Sequence, residues 1–236
     1  GMGSVTSWAV KTSAGIILFD TLHNSEEARQ YIIGGLKKLG LDPMSVKYIV
    51  VTHAHTDHWG GAKLFQDEIP GVRILMGPAD WDAIEKGTGN FGRAGGPATP
   101  KRDTNVTDGQ KLTLGDTTVT LYVTPGHTPG TVSAIIPVTD HGKPMKVALW
   151  GGMPFSTKET EATFMASLKR FRQIMAAENV VGRLSNHAIW DNSIMKLYLK
   201  NNNPNGPSPY IESANDMQLY AQIQDLCLQA RHIQLS

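Results

Sequence analysis

The sequence predicts a layered α/β fold, and three observations support that expectation. Between Tyr48 and Ile84, short apolar runs of strand character alternate with short helical stretches: Tyr48–Val51, Ala62–Gln66, Val72–Met76 and Ala79–Ile84. The chain has 236 residues, of which 40% are hydrophobic, enough to bury a sizeable core in a single domain spanning residues 1–236. Finally, the stretch Ile49–Gly61, IVVTHAHTDHWGG, runs from an apolar β-branched strand into a Gly60-Gly61 helix opening. It packs His53, His55, Asp57 and His58 into six positions of the connecting loop.

The elements follow in order. Val5–Lys11 and Gly15–Thr21 read as two strands of a hairpin. Asn24 caps a helix with Glu27 at its third position, and Ala28, Tyr31, Ile32, Leu36 and Leu39 fall on one face until Gly40 ends it. Beyond Gly87 the order dissolves, up to Asp108, into a Gly/Pro-rich stretch too long for an ordinary connection. Leu112–Leu114 and Thr117–Thr124 resume strands around a Gly115-Asp116 turn. The tight loop PGHTPGT at 125–131 then presents His127.

Gly130–Val138 and Lys146–Trp150 are two more strands, with His141 at their hairpin tip. Glu159–Ala177 reads as a helix with Phe164, Leu168, Phe171, Ile174 and Met175 on its packing face, and Gly182–Asn186 as a short strand ending in His187. A proline-rich loop, Asn201–Ser213, separates the last two helices. The final helix, Ala214–His232, puts Leu219, Tyr220, Ile223, Leu226, Cys227 and Ala230 on one stripe, which makes Cys227 a small core residue.

Composition excludes several classes of function. The formal net charge is +1, with acidic and basic residues interspersed, so the chain lacks the basic footprint of a nucleic-acid binder. No stretch has the apolar length of a membrane span, and no signal peptide precedes the first strand. A single cysteine excludes an internal disulfide and leaves the compartment undetermined, as it does the oligomeric state. Gly1 before Met2 reads as an expression scar, so an export signal upstream would be invisible.

Imidazole and carboxylate suit zinc and similar divalent ions, and a loop at the end of a rigid strand can aim several of them at one point. THAHTDH, with PGHTPGT at 125–131 and SNH at 185–187, resembles the metallo-β-lactamase superfamily, most closely its third β-lactamase subclass and relatives of unknown substrate. The resemblance runs from about Ser7 to the C-terminus. It implies an αββα sandwich; relatives usually carry an extra strand or hairpin before the segment matching Ser7–Val10, so the resemblance implies that this sequence starts late and lacks that first strand or hairpin.

The same resemblance implies two zinc ions, or other divalent ions, held in two sets. His53, His55 and His127 form the first, and Asp57, His58 and His187 the second. The expected function is a hydrolase of small-molecule esters, lactones or amides using a di-zinc-bound hydroxide, with Asp57 both a ligand and the catalytic group that orients the nucleophile. A true β-lactamase and a non-catalytic metal-binding scaffold are the alternatives.

Gly152 stands where many relatives carry a metal-bridging Asp, a departure shared with the β-lactamase subclass. Gly152 and Pro154 stand where those lactamases use serines to hold the substrate carboxylate, which argues against β-lactams. Arg93, Arg102 or Lys158 would have to replace those contacts. The resemblance also brings the Gly87–Asp108 stretch near the metals, as a lid carrying Phe91 and Arg93 or Arg102, or else as a solvated excursion. Asp20 is either a hydrogen-bond acceptor beneath the metal loop or a strand-end residue, and Asp191 either orients a histidine or caps a helix.

Overall fold

A computed structural model describes residues 5–88 and 96–236. The expected positions of Phe91 and Arg93 lie outside the described residues. Two five-stranded sheets face one another. The first comprises β1 (Trp8–Thr12), β2 (Gly15–Phe19), β3 (Val46–Val50), β4 (Arg73–Met76) and β5 (Thr104–Asn105), in that spatial order. Only β1 and β2 pair antiparallel; β2, β3, β4 and β5 run parallel, with helices in the β2–β3 and β3–β4 crossovers and β4–β5. The second sheet comprises β6 (Gln110–Leu114), β7 (Thr117–Val123), β8 (Val132–Asp140), β9 (Lys143–Trp150) and β10 (Arg183–Ser185) in the order β10-β9-β8-β7-β6.

Strand alternation sorts the core into layers. In the first sheet, Ile17 and Phe19 of β2, with Val50 and Leu75 of β3 and β4, face the second sheet, where they meet Val119, Leu121, Val132, Ala134 and Leu149. Their neighbours Ile16 and Leu18 face the other way, against Ala28, Ile32, Trp59, Phe65 and Trp81 of the helical layer. That layer contains α4 (Ala62–Glu68) and α5 (Pro78–Glu85). Over the second sheet lie α6 (Lys158–Ala177) and α9 (Ala214–Leu235), with Phe164, Leu168, Phe171 and Leu228 buried against it. The layers run helix, sheet, sheet, helix, which is the αββα sandwich expected.

Several local expectations change. Asn24 caps as expected, its side chain accepting from Glu27 N, but the helix runs as α1 (Ser25–Glu27), a π turn (Ala28–Ile33) and α2 (Gly34–Lys38). The wide π turn breaks the 3.6-residue register. Ala28, Ile32 and Leu36 remain buried, whereas Tyr31 and Leu39 are exposed.

The stripe assigned to the last helix is also wrong: Leu219, Ile223 and Leu226 face solvent and Cys227 is exposed. α9 carries apolar residues on two sides, and its orientation is fixed by a polar residue. Buried Gln224 accepts from Arg172 Nη2 at 2.7 Å and donates to Met153 Sδ at 3.3 Å. No helix among the described residues is long and apolar enough to cross a membrane.

Candidate metal centre

Strand β3 delivers the first cluster. It ends at Val50, and the next residues turn through Thr52–His55 into α3 (Thr56–Trp59). The turn is fixed from below by Asp20, at the end of β2. The Asp20 carboxylate accepts from Thr52 N at 2.7 Å, Thr52 Oγ1 at 2.8 Å and His58 Nδ1 at 2.8 Å, all of them buried. Asp20 is thus a buried hydrogen-bond acceptor beneath the His53–His58 loop.

His127 arrives from the opposite sheet, on the loop between β7 and β8, and His187 from the end of β10, at the cap of α7 (Ala188–Asp191). The fold thus brings all six expected residues together in two adjacent triads. Each triad takes residues from the β3 loop and one from the second sheet. Potential ligand atoms of His53, His55 and His127 lie within 4.8 Å of one another, as do those of Asp57, His58 and His187. The His53 and His58 rings, one from each triad, have centroids 3.9 Å apart.

Within the first triad, His53 Nε2, His55 Nδ1 and His127 Nε2 are separated by 3.1–3.2 Å. His53 donates its Nδ1–H to Gly151 O at 2.8 Å, and His127 donates its own to Pro154 O at 2.6 Å. Those bonds fix both tautomers, leaving two Nε2 lone pairs aimed at each other across 3.2 Å. Lone pairs so placed repel unless a cation sits among them. Tetrahedral zinc with Zn–N bonds of about 2.0–2.1 Å would hold its donors roughly 3.3–3.4 Å apart. The donor set therefore fits a divalent ion of this kind.

The electrostatics of the triads differ. Burial and the neighbouring imidazoles disfavour a proton on the first, holding His55 down at about 4, His127 at about 3 and His53 well below the usual histidine range. Burial acts the same way on His58, but Asp20 and Asp57 outweigh it and push His58 up to about 9. Burial alone would raise the Asp57 carboxyl; the hydrogen bond and charge of His58, with His187, instead hold it below the usual carboxylate range.

Gly152 packs directly against the first triad. A Cβ at that position would collide with the His127 ring. The neighbouring hydroxyl of Ser156 donates to His127 O at 2.6 Å. Arg102, one of the expected lid cations, is engaged elsewhere: its Nη1 reaches Asp82 at 2.6 Å and Glu85 at 3.3 Å on α5. Lys158 Nζ reaches Ser236 Oγ at 3.4 Å. Asp191 touches none of the triad histidines: it accepts from Ser185 N at 2.8 Å and Ser193 N at 2.9 Å, bracketing the His187 turn and leading into α8 (Ser193–Asn202).

Two residues went unnoticed in the sequence. Asn186 Nδ2 donates to Thr52 Oγ1 and to Gly151 O, both at 2.8 Å, joining the β3 loop to the β9 end. Asp80, in the first turn of α5, is fully buried and accepts from Ala54 N at 2.8 Å, Thr128 Oγ1 at 2.6 Å and Gly130 N at 2.8 Å. Asn186 was within reach, lying beside His187. Asp80 gave no local signal beyond an acidic residue early in a helix.

Comparison with known proteins identifies the family. Residues 1–140 match the family model of the metallo-β-lactamase superfamily. BJP-1, a subclass B3 metallo-β-lactamase of Bradyrhizobium japonicum, is 25% identical and superposes with a TM-score of 0.80 over 98% of this chain and 88% of its own. FEZ-1 from Legionella gormanii, 21% identical, shares the fold with a TM-score of 0.81 over 98% of this chain and 90% of its own. An N-acyl homoserine lactonase of a Bacillus species is 26% identical over 165 residues, 66% of this chain and 61% of the lactonase. This chain therefore spans about three-fifths of that relative's length. The family match covers more than half of the 236 residues, and the chain belongs to the metallo-β-lactamase superfamily.

Proposed function

We propose that this chain is a metal-dependent hydrolase of small-molecule esters or lactones. The first divalent ion would be held by His53, His55 and His127, and the second by Asp57, His58 and His187. The observation that carries this reading is the pair of adjacent triads, one of neutral imidazoles and one containing a carboxylate. Zinc at such a centre lowers the pKa of coordinated water to roughly 7 and polarises a carbonyl.

The chain's own groups then divide the work. His53 and His127, with their Nδ1 atoms tied to backbone carbonyls, present fixed Nε2 donors. Asp57, ionised at neutral pH, is both a ligand and the acceptor that orients the attacking water by its proton. Asp20 keeps the His58 ring turned with Nε2 toward Asp57 and His187.

Similarity to a lactonase supports an ester ring as substrate, while similarity to BJP-1 favours the second reading, a β-lactamase. The surroundings weigh toward the first. Gly152 and Pro154 offer no hydroxyl for a substrate carboxylate, and Arg102 is paired with α5. Losing one charge-assisted hydrogen bond costs about 1.5–3 kcal/mol, or roughly ten- to a hundredfold in rate. Steady-state kinetics on zinc-loaded protein should show ester or lactone hydrolysis with weak or absent β-lactam turnover. Efficient penicillin or carbapenem hydrolysis without esterase or lactonase activity would reverse the order of the two readings.

A further inference from the structure

We infer that Asp80 is a positioning residue that sets the spacing of the first triad while touching none of its members, an inference resting on the ligand assignment above. Ala54, whose N–H it accepts, lies between His53 and His55. Thr128 and Gly130, its other two donors, follow His127 on the opposite loop. One buried carboxylate thus ties together the backbones that carry all three residues, across the gap between the sheets.

The arrangement is not a helix cap. The N-cap of α5 is Gly77, which makes no side-chain cap bond, and the Asp80 carboxylate is spent on two loops outside its own helix. The glycines around it are there for the close approach. A Cβ on Gly130 would lie 2.7 Å from Asp80 Cγ, and one on Gly77 would run into the Gly130 carbonyl. Thr131 Oγ1, 2.8 Å from Thr128 Oγ1, braces the same corner.

The second triad has separate supports. Asp20 holds His58, while Asp191 accepts from Ser185 N and Ser185 Oγ accepts from His187 N at 3.2 Å. Weakening Asp80 should therefore loosen one triad and spare the other, which a residue needed only for folding would not do. Asp80→Asn is the sharp variant. An amide has a single oxygen for three donors and must turn its NH2 toward the N–H of Ala54 or of Gly130.

The test measures Co(II) affinity, by visible absorption against a competing chelator, in two backgrounds. His187→Ala leaves the first triad intact and His127→Ala leaves the second. Asp80→Asn should weaken binding about 10- to 100-fold in the first background, the size typical of groups supporting metal ligands, and leave the second within about threefold. Thr128→Val, which removes one of the three bonds, should give a smaller loss of the same selectivity and serves if Asp80→Asn does not fold. Equal losses in both backgrounds, or none in either, would overturn the inference. Absence of any Co(II) binding by the unsubstituted protein would instead overturn the ligand assignment on which it rests.

Discussion

Asp20 Oδ2 and His58 Nδ1 stand 2.8 Å apart with both side chains wholly buried, so the tautomer of His58 is set by a residue thirty-eight positions away. Asp20→Asn keeps the shape but offers an NH2 to His58, which would then carry its proton on Nε2, the atom facing Asp57 and His187. Binding at the second site should fall about 10- to 100-fold by chelator competition. Unchanged affinity would mean that Asp20 does not control that ring.

Elemental analysis of metal-loaded protein should find close to two divalent ions per chain, one for each triad. His127→Ala should abolish the first site. His141→Ala should change nothing, since His141 sits on an exposed hairpin tip with its Nε2 donating to Gly206 O at 3.2 Å. Equal effects of the two substitutions would dismantle the ligand assignment.

Proton competition should separate the sites. In the metal-free protein the first triad is unprotonated above about pH 4, so its affinity should be nearly flat across neutral pH. His58, pushed up to about 9, must release a proton to bind an ion. Second-site affinity should therefore rise with pH, about tenfold per unit, until pH approaches 9, and level off above it. Calorimetry in buffers of different ionisation enthalpy would count that proton; no release at pH 7 on filling the second site would contradict this.

Gly152→Ala should damage the first site without touching a ligand, because the added Cβ meets the His127 ring that Pro154 O holds in place. We expect the affinity of the first ion to drop at least tenfold, with the second less affected. A fully competent first site in Gly152→Ala would show that the ring has room to move.

Much of the centre was legible because its chemistry is concentrated in short stretches. Histidines at 53, 55 and 58 with Asp57 are improbable as turn composition, and an apolar strand before them locates the loop. His127 and His187 were legible only through resemblance, since a lone histidine after a strand has many ordinary uses. Asp80 was not legible at all: its role depends on α5, the β3 loop and the β7–β8 loop meeting in space. The last helix misled for a related reason. Leu219, Ile223 and Leu226 look like a core stripe, yet the side that packs is the one carrying Gln224 and Leu228. Tyr31 and Leu39 went astray because a π turn leaves no mark in apolar spacing.

Each triad draws residues from both halves of the sandwich, and in chain terms it closes very long loops. His55 and His127 are 72 positions apart, and His58 and His187 are 129 apart. An ion seated in either triad is a reversible cross-link over the seam between the sheets, and such clips restrict the unfolded chain most when the loops they close are long. At a free-ion concentration one hundred times the dissociation constant, each would add about 2.7 kcal/mol against global opening. Chelation should accordingly speed amide exchange along β3 and the buried start of β8, and expose the interior to proteolysis before the helices on the outside loosen.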